Sequence, residues 1–431
     1  MGRGGLHSGS WHAAVRAFLC AAVVAACQPL PHDATAQAGW HSGQPVFATP
    51  TALGNRPALV LAALADSRFH GRDSADYLTA DLNAALAAAR SGDAAAVRQA
   101  DMLLSNAFVR WARDLDTTRG PMPIETDRDA ANPVFDADAV LRGAATAPDL
   151  AAYLDGLQRR HPIYDEMVSA MRNAPAPGRK TDGLLRNLER ARSLPVTPVG
   201  KHVIVDAAGA QLLMFDGVRL VGTMKVVVGR PEMPTPLMSG AIRHVVMRPY
   251  WNLPVDIVRD TIAPVVLRGG PAAIRDRKLE ILSDWSPTAK TVAVKDVDWR
   301  AVAAGTKLLR VRQRPGPDNM MGAVKFMLPN DLGIYLHDTP KRTDFAQAQR
   351  ARSSGCVRVE DAARLARWLF DGDGALQGEG TDRTVVLPMP VPVYISYFTV
   401  SPMSDTLAQI ADVYGRDAPR QVATPDRMAA N

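Results

Sequence analysis

In the sequence HVIVDAAGAQLLMFDGVRLVGTMKVVVG, residues 202–229, runs of β-branched and other apolar residues are separated by DAAG and DG. Asp-Gly between two such runs is a strong hairpin signal. The stretch therefore predicts an antiparallel sheet. Runs of the same kind return later in the chain, at KTVAVKDV (290–297), KLLRVRQ (307–313), AVKFML (323–328), GIYLHD (333–338) and TVVLPMPVPVYISYFTV (384–400).

The rest of the chain has a helical pattern. Leu104, Phe108, Trp111 and Leu115 recur at the spacing of one helix face. Helices are also predicted at VDIVRDTIAPVVL (255–267) and DAARLARWLF (361–370), and NAPAPGRK (173–180) marks a boundary that DGLLRNLERARSL follows. The predicted fold is α+β, with a linker at 37–57, a helical domain at 58–195, a mostly β domain at 196–400 and a C-terminal tail at 401–431.

The N-terminus has the layout of an export signal. Arg3 and Arg16 precede the short apolar run AFLCAAVVAA (17–26). Residues 1–36 are therefore predicted to be a signal peptide. Two endings stay open: VAAC resembles a lipoprotein box that would place lipid on Cys27 and anchor the protein to a membrane, and ATA (34–36) is a cleavage site of small residues.

Composition limits the class of protein. Hydrophobic residues make up 47% of the chain and charged residues 22%, which is ordinary for a soluble globular protein. No run of about 18 apolar residues occurs, so no transmembrane helix is expected. The net charge is only +6 and the basic residues are scattered, which argues against a nucleic-acid partner.

One cysteine stands apart from the other two. Cys20 and Cys27 lie in the predicted signal region, so Cys356, in RARSSGCVRVEDA (350–362), is expected to be the one thiol of the mature protein. A cysteine nucleophile needs a base and donors for an oxyanion. His337 lies 19 positions earlier, at the end of a predicted strand, and Gly355 lets the backbone turn tightly before the thiol.

This motif resembles the catalytic signature of the L,D-transpeptidases, the YkuD-type enzymes. The family carries His, a loop of about fifteen residues and Ser-x-Gly-Cys-x-Arg or Asn, and here the loop is 338–352. Further segments, among them VVVGRPEMPTPLMSG, RQRPGPDNMMGAVKFMLPNDLGIYLHDTP and VEDAARLARWL, resemble the large Gram-negative branch of that family. In that branch a helical scaffold precedes the catalytic domain, and the resemblance covers roughly residues 45–400.

The sequence departs from the family pattern in three places. Ser354 stands where the family often has His, and Arg248-Pro249-Tyr250-Trp251 replaces Asn-Pro-x-Trp. The wall-binding repeat domain that often precedes the catalytic domain has no counterpart in NAPAPGRKTDG. The first two departures bear on substrate detail, and the third bears on how the enzyme docks on the wall.

The resemblance implies a role for each residue of the motif. Cys356 is the expected nucleophile, with His337 as its base and later its acid. The N–H groups of Gly355 and Cys356 are the expected oxyanion donors. The remaining expectations concern the loop and the substrate. Ser353 and Ser354 support the turn, and Arg358 binds a stem-peptide carboxylate or forms a structural salt bridge. Trp251 binds substrate from a capping segment (250–300), and Asp338 binds substrate or orients His337 through its carbonyl.

The implied activity is that of a periplasmic enzyme of a Gram-negative bacterium that cross-links third residues of peptidoglycan stem peptides through a cysteine thioester. No metal or organic cofactor is implied. The same residues could instead hydrolyse the thioester, as in an L,D-carboxypeptidase or endopeptidase. The sequence also leaves open a wall-binding scaffold without turnover and an enzyme that attaches a protein to the wall.

Overall fold

The computed structural model describes residues 45–49, 54–118, 124–125, 135–173, 179–196, 198–374, 376–401 and 408–417. The predicted signal peptide and Cys27 lie outside these ranges. Before residue 196 the described chain is mostly helical, as predicted, with one short strand, β1 (Ile124–Glu125). The helices are α1 (Arg56–Asp66), α2 (Ala80–Ala88), α3 (Ala94–Asp116), α4 (Ala137–Thr146), α5 (Leu150–Gln158), α6 (Pro162–Asn173) and α7 (Arg179–Ala191).

Helix α3 carries the apolar face that the sequence predicts. Leu104, Phe108, Trp111 and Leu115 are all buried. The helix begins where the side chain of Asp93 accepts the N–H of Ala96, a standard N-cap that satisfies a free donor of the first turn.

Part of the predicted linker (37–57) packs against α3 instead of running free. The backbone N–H groups of Val46, Phe47 and Ala48 donate to the Asp101 carboxylate at 2.8, 2.7 and 2.9 Å. The Phe47 ring also meets Phe108 edge to face. The linker prediction is therefore wrong for residues 45–49, because a buried carboxylate collects three donors from this stretch and holds it on the helix.

The second half of the described chain is mostly β with a few helices, which confirms the predicted fold class. Its strands are β2 (Lys201–Asp206), β3 (Gln211–Asp216), β4 (Arg219–Gly229), β5 (Met238–Met247), β6 (Trp251–Asn252), β7 (Leu279–Leu282), β8 (Arg310–Gln313), β9 (Val324–Met327), β10 (Leu336–His337), β11 (Ala351–Ser353), β12 (Val357–Val359) and β13 (Arg383–Ser396). The helices are α8 (Val255–Ile257), α9 (Ala263–Gly269), α10 (Ala272–Asp276), α11 (Trp299–Ala303) and α12 (Ala362–Leu369).

The main sheet is mixed rather than purely antiparallel. Its order is β1-β5-β13-β2-β3-β4-β12-β10-β9, with β11 beside β4, and a further β5–β9 pairing closes it on itself. The β2–β3 and β3–β4 pairs are antiparallel hairpins, as DAAG and DG predict. However, β13 pairs with β2 and β10 pairs with β12 in parallel. A long stretch of chain separates the two strands of each pair, as a parallel pairing requires.

Two strand predictions need correction. KTVAVKDV (290–297) contributes one bridge, between Thr291 and Leu282, and then forms a 3-10 turn at Val294–Asp296. The run cannot extend further because Asp298 caps α11 directly after it. Strand β5, in contrast, was not predicted from the sequence, although it pairs with both β13 and β9.

The inner face of the sheet holds the main core. Val226, Phe326, Leu336 and Val357 are fully buried there, together with the apolar side of α12. On the outer face, Ile204, Leu213 and Phe215 of β2 and β3 are covered by α6 and α7. Since side chains alternate along a strand, the residues next to the inner-face positions of β9, β10 and β12 lie on this same outer face.

The segment between β5 and β9 forms a small unit with its own core. Strands β6, β8 and β7 make a three-stranded sheet. Its core includes Trp299, and Trp251 packs partly buried against it. Trp285 is 59% exposed, so the three tryptophans of this segment do not share one environment.

The predicted C-terminal tail (401–431) contains an ordered, packed stretch at 408–417. Asp417 forms an ion pair with Arg190 of α7 at 2.7 Å. Tyr414 stacks on Tyr397, with ring centroids 5.2 Å apart. The tail prediction is therefore wrong for this stretch, because aromatic stacking and a partly buried ion pair fix it to the body of the protein. Within the described residues, no helix combines the length and apolar character needed to cross a membrane.

Candidate active site

The turn before β12 presents the thiol. Cys356 is a free cysteine, and it follows Gly355, whose φ of +108° is a conformation that side-chain-bearing residues rarely adopt. The Ser353 hydroxyl accepts the N–H of Gly355 at 3.2 Å and donates to the carbonyl of Cys356 at 2.6 Å. Ser353 thus closes the turn, and Ser354 accepts a hydrogen bond from Arg230 on the exposed side.

This geometry changes the expected set of oxyanion donors. The N–H of Gly355 is occupied by Ser353, so it is not free to face a substrate oxygen. The N–H of Cys356 has no acceptor within the described residues, and it remains a candidate. The sequence could not show this difference, since it depends on the rotamer of one serine hydroxyl.

A threonine that the sequence analysis missed holds the same turn from below. Thr235 is fully buried; its hydroxyl accepts the N–H of Gly229 at 2.8 Å and donates to the carbonyl of Gly355 at 2.7 Å. The Gly355–Cys356 peptide bears both that carbonyl and the free N–H of Cys356. Thr235 therefore fixes the orientation of the peptide whose N–H faces outward.

The packed C-terminal stretch supports Thr235 in turn. The Tyr414 hydroxyl donates to the carbonyl of Gly229 at 2.6 Å and accepts the N–H of Thr235 at 3.4 Å. Arg416 donates to the carbonyl of Thr235 at 3.1 Å and is followed by Asp417, the partner of Arg190. A continuous set of polar contacts thus runs from α7 to the turn that carries the thiol.

His337 lies at the end of β10 on the outer face. Its Nδ1 donates to the backbone carbonyl of Asp338 at 2.5 Å, the contact that the sequence analysis proposed for orienting the ring. Nε2 is then the nitrogen without a proton. Burial lowers the pKa of His337 to about 3, and the nearby Arg358 and Lys325 charges act in the same direction. The imidazole is therefore neutral at physiological pH and able to accept a proton.

Tyr335 connects this strand to the thiol. Hydrogen bonding from its backbone and its side chain acts to lower the pKa of the Cys356 thiol, so both groups lie close to the sulfur. Its ring meets that of His337 edge to face, with centroids 5.7 Å apart. Burial raises the pKa of Tyr335, so its hydroxyl stays protonated and remains a donor. Tyr335 lies two residues before His337, and strand alternation in GIYLHD could have placed both on one face.

The thiol is also neutral at rest. Burial raises the pKa of Cys356 above its ordinary value, although the Tyr335 hydrogen bonds and the charges of Lys325 and Arg358 oppose that shift. Its sulfur points toward the carbonyl of Gly333 at 3.5 Å. The described contacts include no hydrogen bond between this sulfur and the His337 ring, and such bonds in free enzymes often form only with substrate.

The remaining predicted residues have defined surroundings. Arg358 forms an ion pair with Asp344 at 3.0 Å, which is the structural salt bridge, the second of the two roles expected for it. The Asp338 carboxylate accepts the N–H of Ala323 and pairs with Arg342, and the residue lines a cavity of about 390 Å³. Trp251 packs within the small unit between β5 and β9, and no described contact joins it to the thiol turn.

Comparison with protein families assigns two parts of the chain to known domain families. Residues 200–395 match the model of the L,D-transpeptidase catalytic domain (YkuD), and residues 41–171 match that of the Scaffold domain. Residues 200–395 therefore belong to the L,D-transpeptidase catalytic domain family, and residues 41–171 belong to the Scaffold domain family. The family resemblance found in the sequence is confirmed.

Individual relatives are more distant. A Haemophilus influenzae protein named provisionally as an L,D-transpeptidase is 30% identical over 244 residues. The match covers 55% of this chain and 48% of that protein, so the chain spans about half the length of its curated relative.

Solved structures show weaker likenesses. An L,D-transpeptidase from Mycobacterium smegmatis is 12% identical, with 47% of this chain and 63% of that one covered and a TM-score of 0.23. L,D-transpeptidase 3 from Mycobacterium tuberculosis is 15% identical, with coverage of 47% and 65% and a TM-score of 0.21. TM-scores this low carry no argument about the site.

Proposed function

We propose that this protein is a peptidoglycan L,D-transpeptidase that joins third residues of stem peptides through a thioester on Cys356. The observation that carries the proposal is the arrangement on the outer face of the sheet. A neutral thiol, a neutral imidazole held by a backbone carbonyl and a protonated tyrosine hydroxyl converge there, within a domain of the L,D-transpeptidase family. These groups are the parts that acyl transfer needs.

In the first half-reaction, the sulfur of Cys356 attacks the carbonyl carbon of the third residue of a tetrapeptide stem. Nε2 of His337 takes the thiol proton as the S–C bond forms. The same proton then passes to the nitrogen of the fourth residue as the C–N bond breaks. A D-amino acid leaves with its amine restored, and the third residue stays on the enzyme as a thioester.

The charge that develops on the carbonyl oxygen requires donors that are already in place. The N–H of Cys356 and the hydroxyl of Tyr335 are the two candidates, because both flank the sulfur and both keep their protons. Removing one oxyanion donor in other acyl-transfer enzymes costs on the order of 10²–10³ in rate. Thr235 and Ser353 contribute indirectly, by fixing the peptide that carries the first of these donors.

In the second half-reaction, an amine of a second stem attacks the thioester. His337 accepts the amine proton and returns it to the departing sulfur. Atoms and charges balance without any oxidant or additional co-reactant, since one amide is exchanged for another. Attack by water instead of the amine would give a tripeptide.

The test is incubation of the purified protein with tetrapeptide stems, followed by mass spectrometry of the products. We expect dimers joined through their third residues, release of the fourth residue, and exchange when free D-amino acids are added. Tripeptide alone, at any stem concentration, would assign the protein to the carboxypeptidases. If the intact chain, with Cys356 reduced, gave no product, the remaining assignment would be a wall-binding scaffold without turnover.

We propose further that the protein is exported to a periplasm, on the basis of the charged and apolar pattern of residues 1–36. N-terminal sequencing of the mature protein from the cell envelope tests this. A start at Gln37 would indicate simple cleavage, and a blocked, lipid-bearing Cys27 would indicate an anchor. A mature protein that retains residues 1–36 in the cytoplasm would contradict export.

A further inference from the structure

Three basic residues form one row across the outer face at the candidate site. In the sheet register, His337 pairs with Lys325 of β9 on one side and with Arg358 of β12 on the other. Directly paired residues project to the same face of a sheet. The imidazole is therefore flanked by two cationic side chains.

The two flanking cations differ in their partners. Arg358 forms an ion pair with Asp344 at a guanidinium–carboxylate distance of 3.0 Å, and Arg352 lies 4.0 Å from the same carboxylate. Lys325 forms no ion pair within the described residues. Its ammonium instead lies 3.7 Å from the ring centroid of Tyr335, a cation–π contact that leaves it free to bind an anion.

A partly buried ammonium that no carboxylate pairs with carries a desolvation cost in free energy, and an anionic partner would offset that cost. Burial lowers the pKa of Lys325, while the neighbouring Cys356 and the carboxylate of Asp382 oppose the shift. The site therefore holds one positive charge that the described protein groups do not neutralise by direct contact. An anionic ligand group would supply the missing partner.

Tyr335 sets the distance between the Lys325 ammonium and the Cys356 sulfur. Its ring lies under the Lys325 ammonium, and its hydroxyl is close enough to the Cys356 thiol for each group to shift the pKa of the other. The ammonium and the sulfur are thus separated by about one tyrosine ring. One residue of a peptide spans about 3.8 Å, so a carboxylate one residue beyond the scissile carbonyl falls within this interval.

We propose that Lys325 binds the free terminal carboxylate of the donor peptide, on the leaving-group side of the scissile bond. The proposal rests on the proposed function, and it makes Lys325 the residue that selects donors ending one residue after the attacked carbonyl. Arg358, which the sequence singled out for a carboxylate, is held by Asp344 and supports the loop instead.

The test compares two donors: a tetrapeptide stem with a free terminal carboxylate and the same stem with a terminal carboxamide. The measured quantity is kcat/KM for formation of the acyl-enzyme, which is monitored by mass spectrometry of the intact protein. We expect the wild-type protein to prefer the free acid by about tenfold or more, as for a charge-assisted hydrogen bond. In Lys325→Met the preference should vanish, mainly because the free-acid donor is used less well.

Two further variants complete the design. Lys325→Arg keeps the charge and should retain much of the preference, and it replaces Lys325→Met as the informative variant if the latter does not fold. Lys307→Met removes an exposed lysine of the small unit and should leave both donors unaffected. Alkylation of Cys356 by iodoacetamide, measured in every variant, reports whether the thiol itself has changed.

The outcomes separate the two proposals. A wild-type protein that forms an acyl-enzyme with both donors equally well overturns the role of Lys325 and leaves the proposed function intact. An unchanged preference in Lys325→Met also overturns it. Equal losses for both donors, together with slower alkylation, would assign Lys325 to the thiol instead. No acyl-enzyme from either donor in the wild-type protein would overturn the proposed function itself.

Discussion

Two histidines on the outer face of the same sheet have very different surroundings. His202, on β2, is covered by His161, the residue directly before α6; the Nε2 atoms of the two rings lie 3.0 Å apart, and His202 stacks on Phe215. His337, on β10, is equally buried but lies beside Tyr335 and the thiol turn. Burial lowers the pKa of both imidazoles, so both are neutral.

The comparison shows that a neutral, buried histidine is not by itself a mark of catalysis. In the covered pair, both ring nitrogens of His161 are used, since Nδ1 accepts the N–H of Ile163 and Nε2 donates to His202. In His337, only Nδ1 has a partner within the described part of the chain. A free acceptor nitrogen near a thiol separates the candidate catalytic group from the structural one.

The largest expected effect distinguishes the two histidines directly. His337→Gln should lower turnover by about a hundred-fold or more, the scale of a general acid–base group, with little change in melting temperature. His202→Gln should do the reverse, because it breaks the buried contact with His161. The two variants are compared by turnover per folded molecule and by thermal unfolding. Similar turnover in both variants would contradict the distinction between a catalytic His337 and a structural His202.

A smaller effect is expected from the residue that supports the thiol turn. Thr235→Val keeps the side-chain shape but removes the hydroxyl, so the Gly229 N–H and the Gly355 carbonyl lose their partner. An unsatisfied buried polar group costs about 1–3 kcal/mol, and we expect turnover to fall by about tenfold. Thr235→Ser should restore it. A stability loss in Thr235→Val with unchanged turnover would make Thr235 purely structural.

The covered histidine pair predicts an acid-dependent loss of stability. Burial lowers the pKa of His161 to about 3 from an ordinary value near 6.5, so the unfolded chain binds more protons between these values. The free energy of unfolding should therefore fall as the pH drops below about 6.5. At pH 5 the contribution of His161 is about 2 kcal/mol.

Denaturant unfolding at pH 7 and pH 5 measures this change. His161→Gln lacks the titrating group, and its pH dependence should be flatter than that of the wild-type protein by about that amount. An identical pH dependence in the two proteins would show that the pair does not stay neutral in the fold.

The smallest effect is expected at the neighbour of His337. Asp338→Asn should change turnover by less than about threefold, because the backbone carbonyl, not the side chain, orients the ring. Its carboxylate instead holds Ala323 and Arg342. A loss as large as that of His337→Gln, at unchanged melting temperature, would mean that the carboxylate takes part in the chemistry.

The sequence predicted the parts of this site that lie in one local motif. The spacing of His337 and Cys356, the bend at Gly355 and the orienting carbonyl of Asp338 all follow from short-range rules. Tyr335 was also within reach, because residues two apart on a strand share a face.

The other contributors depend on contacts that only the fold creates. Lys325 reaches His337 through strand register, and Thr235 reaches Gly355 across 120 residues. Contacts between residues far apart in sequence also explain the errors in the predicted fold. The linker and tail predictions were wrong for 45–49 and 408–417 because Asp101 and Arg190, which anchor these stretches, are far away in sequence.

The most direct test of the account is the pH dependence of Cys356 alkylation by iodoacetamide, in the wild-type protein and in His337→Gln. A neutral thiol beside a neutral imidazole should react slowly from pH 5 to 7 and accelerate only above its ordinary pKa of about 8.5, and His337→Gln should hardly change this profile. A plateau of fast alkylation between pH 4 and 7 that is lost in His337→Gln would reveal a thiolate–imidazolium pair and contradict the account.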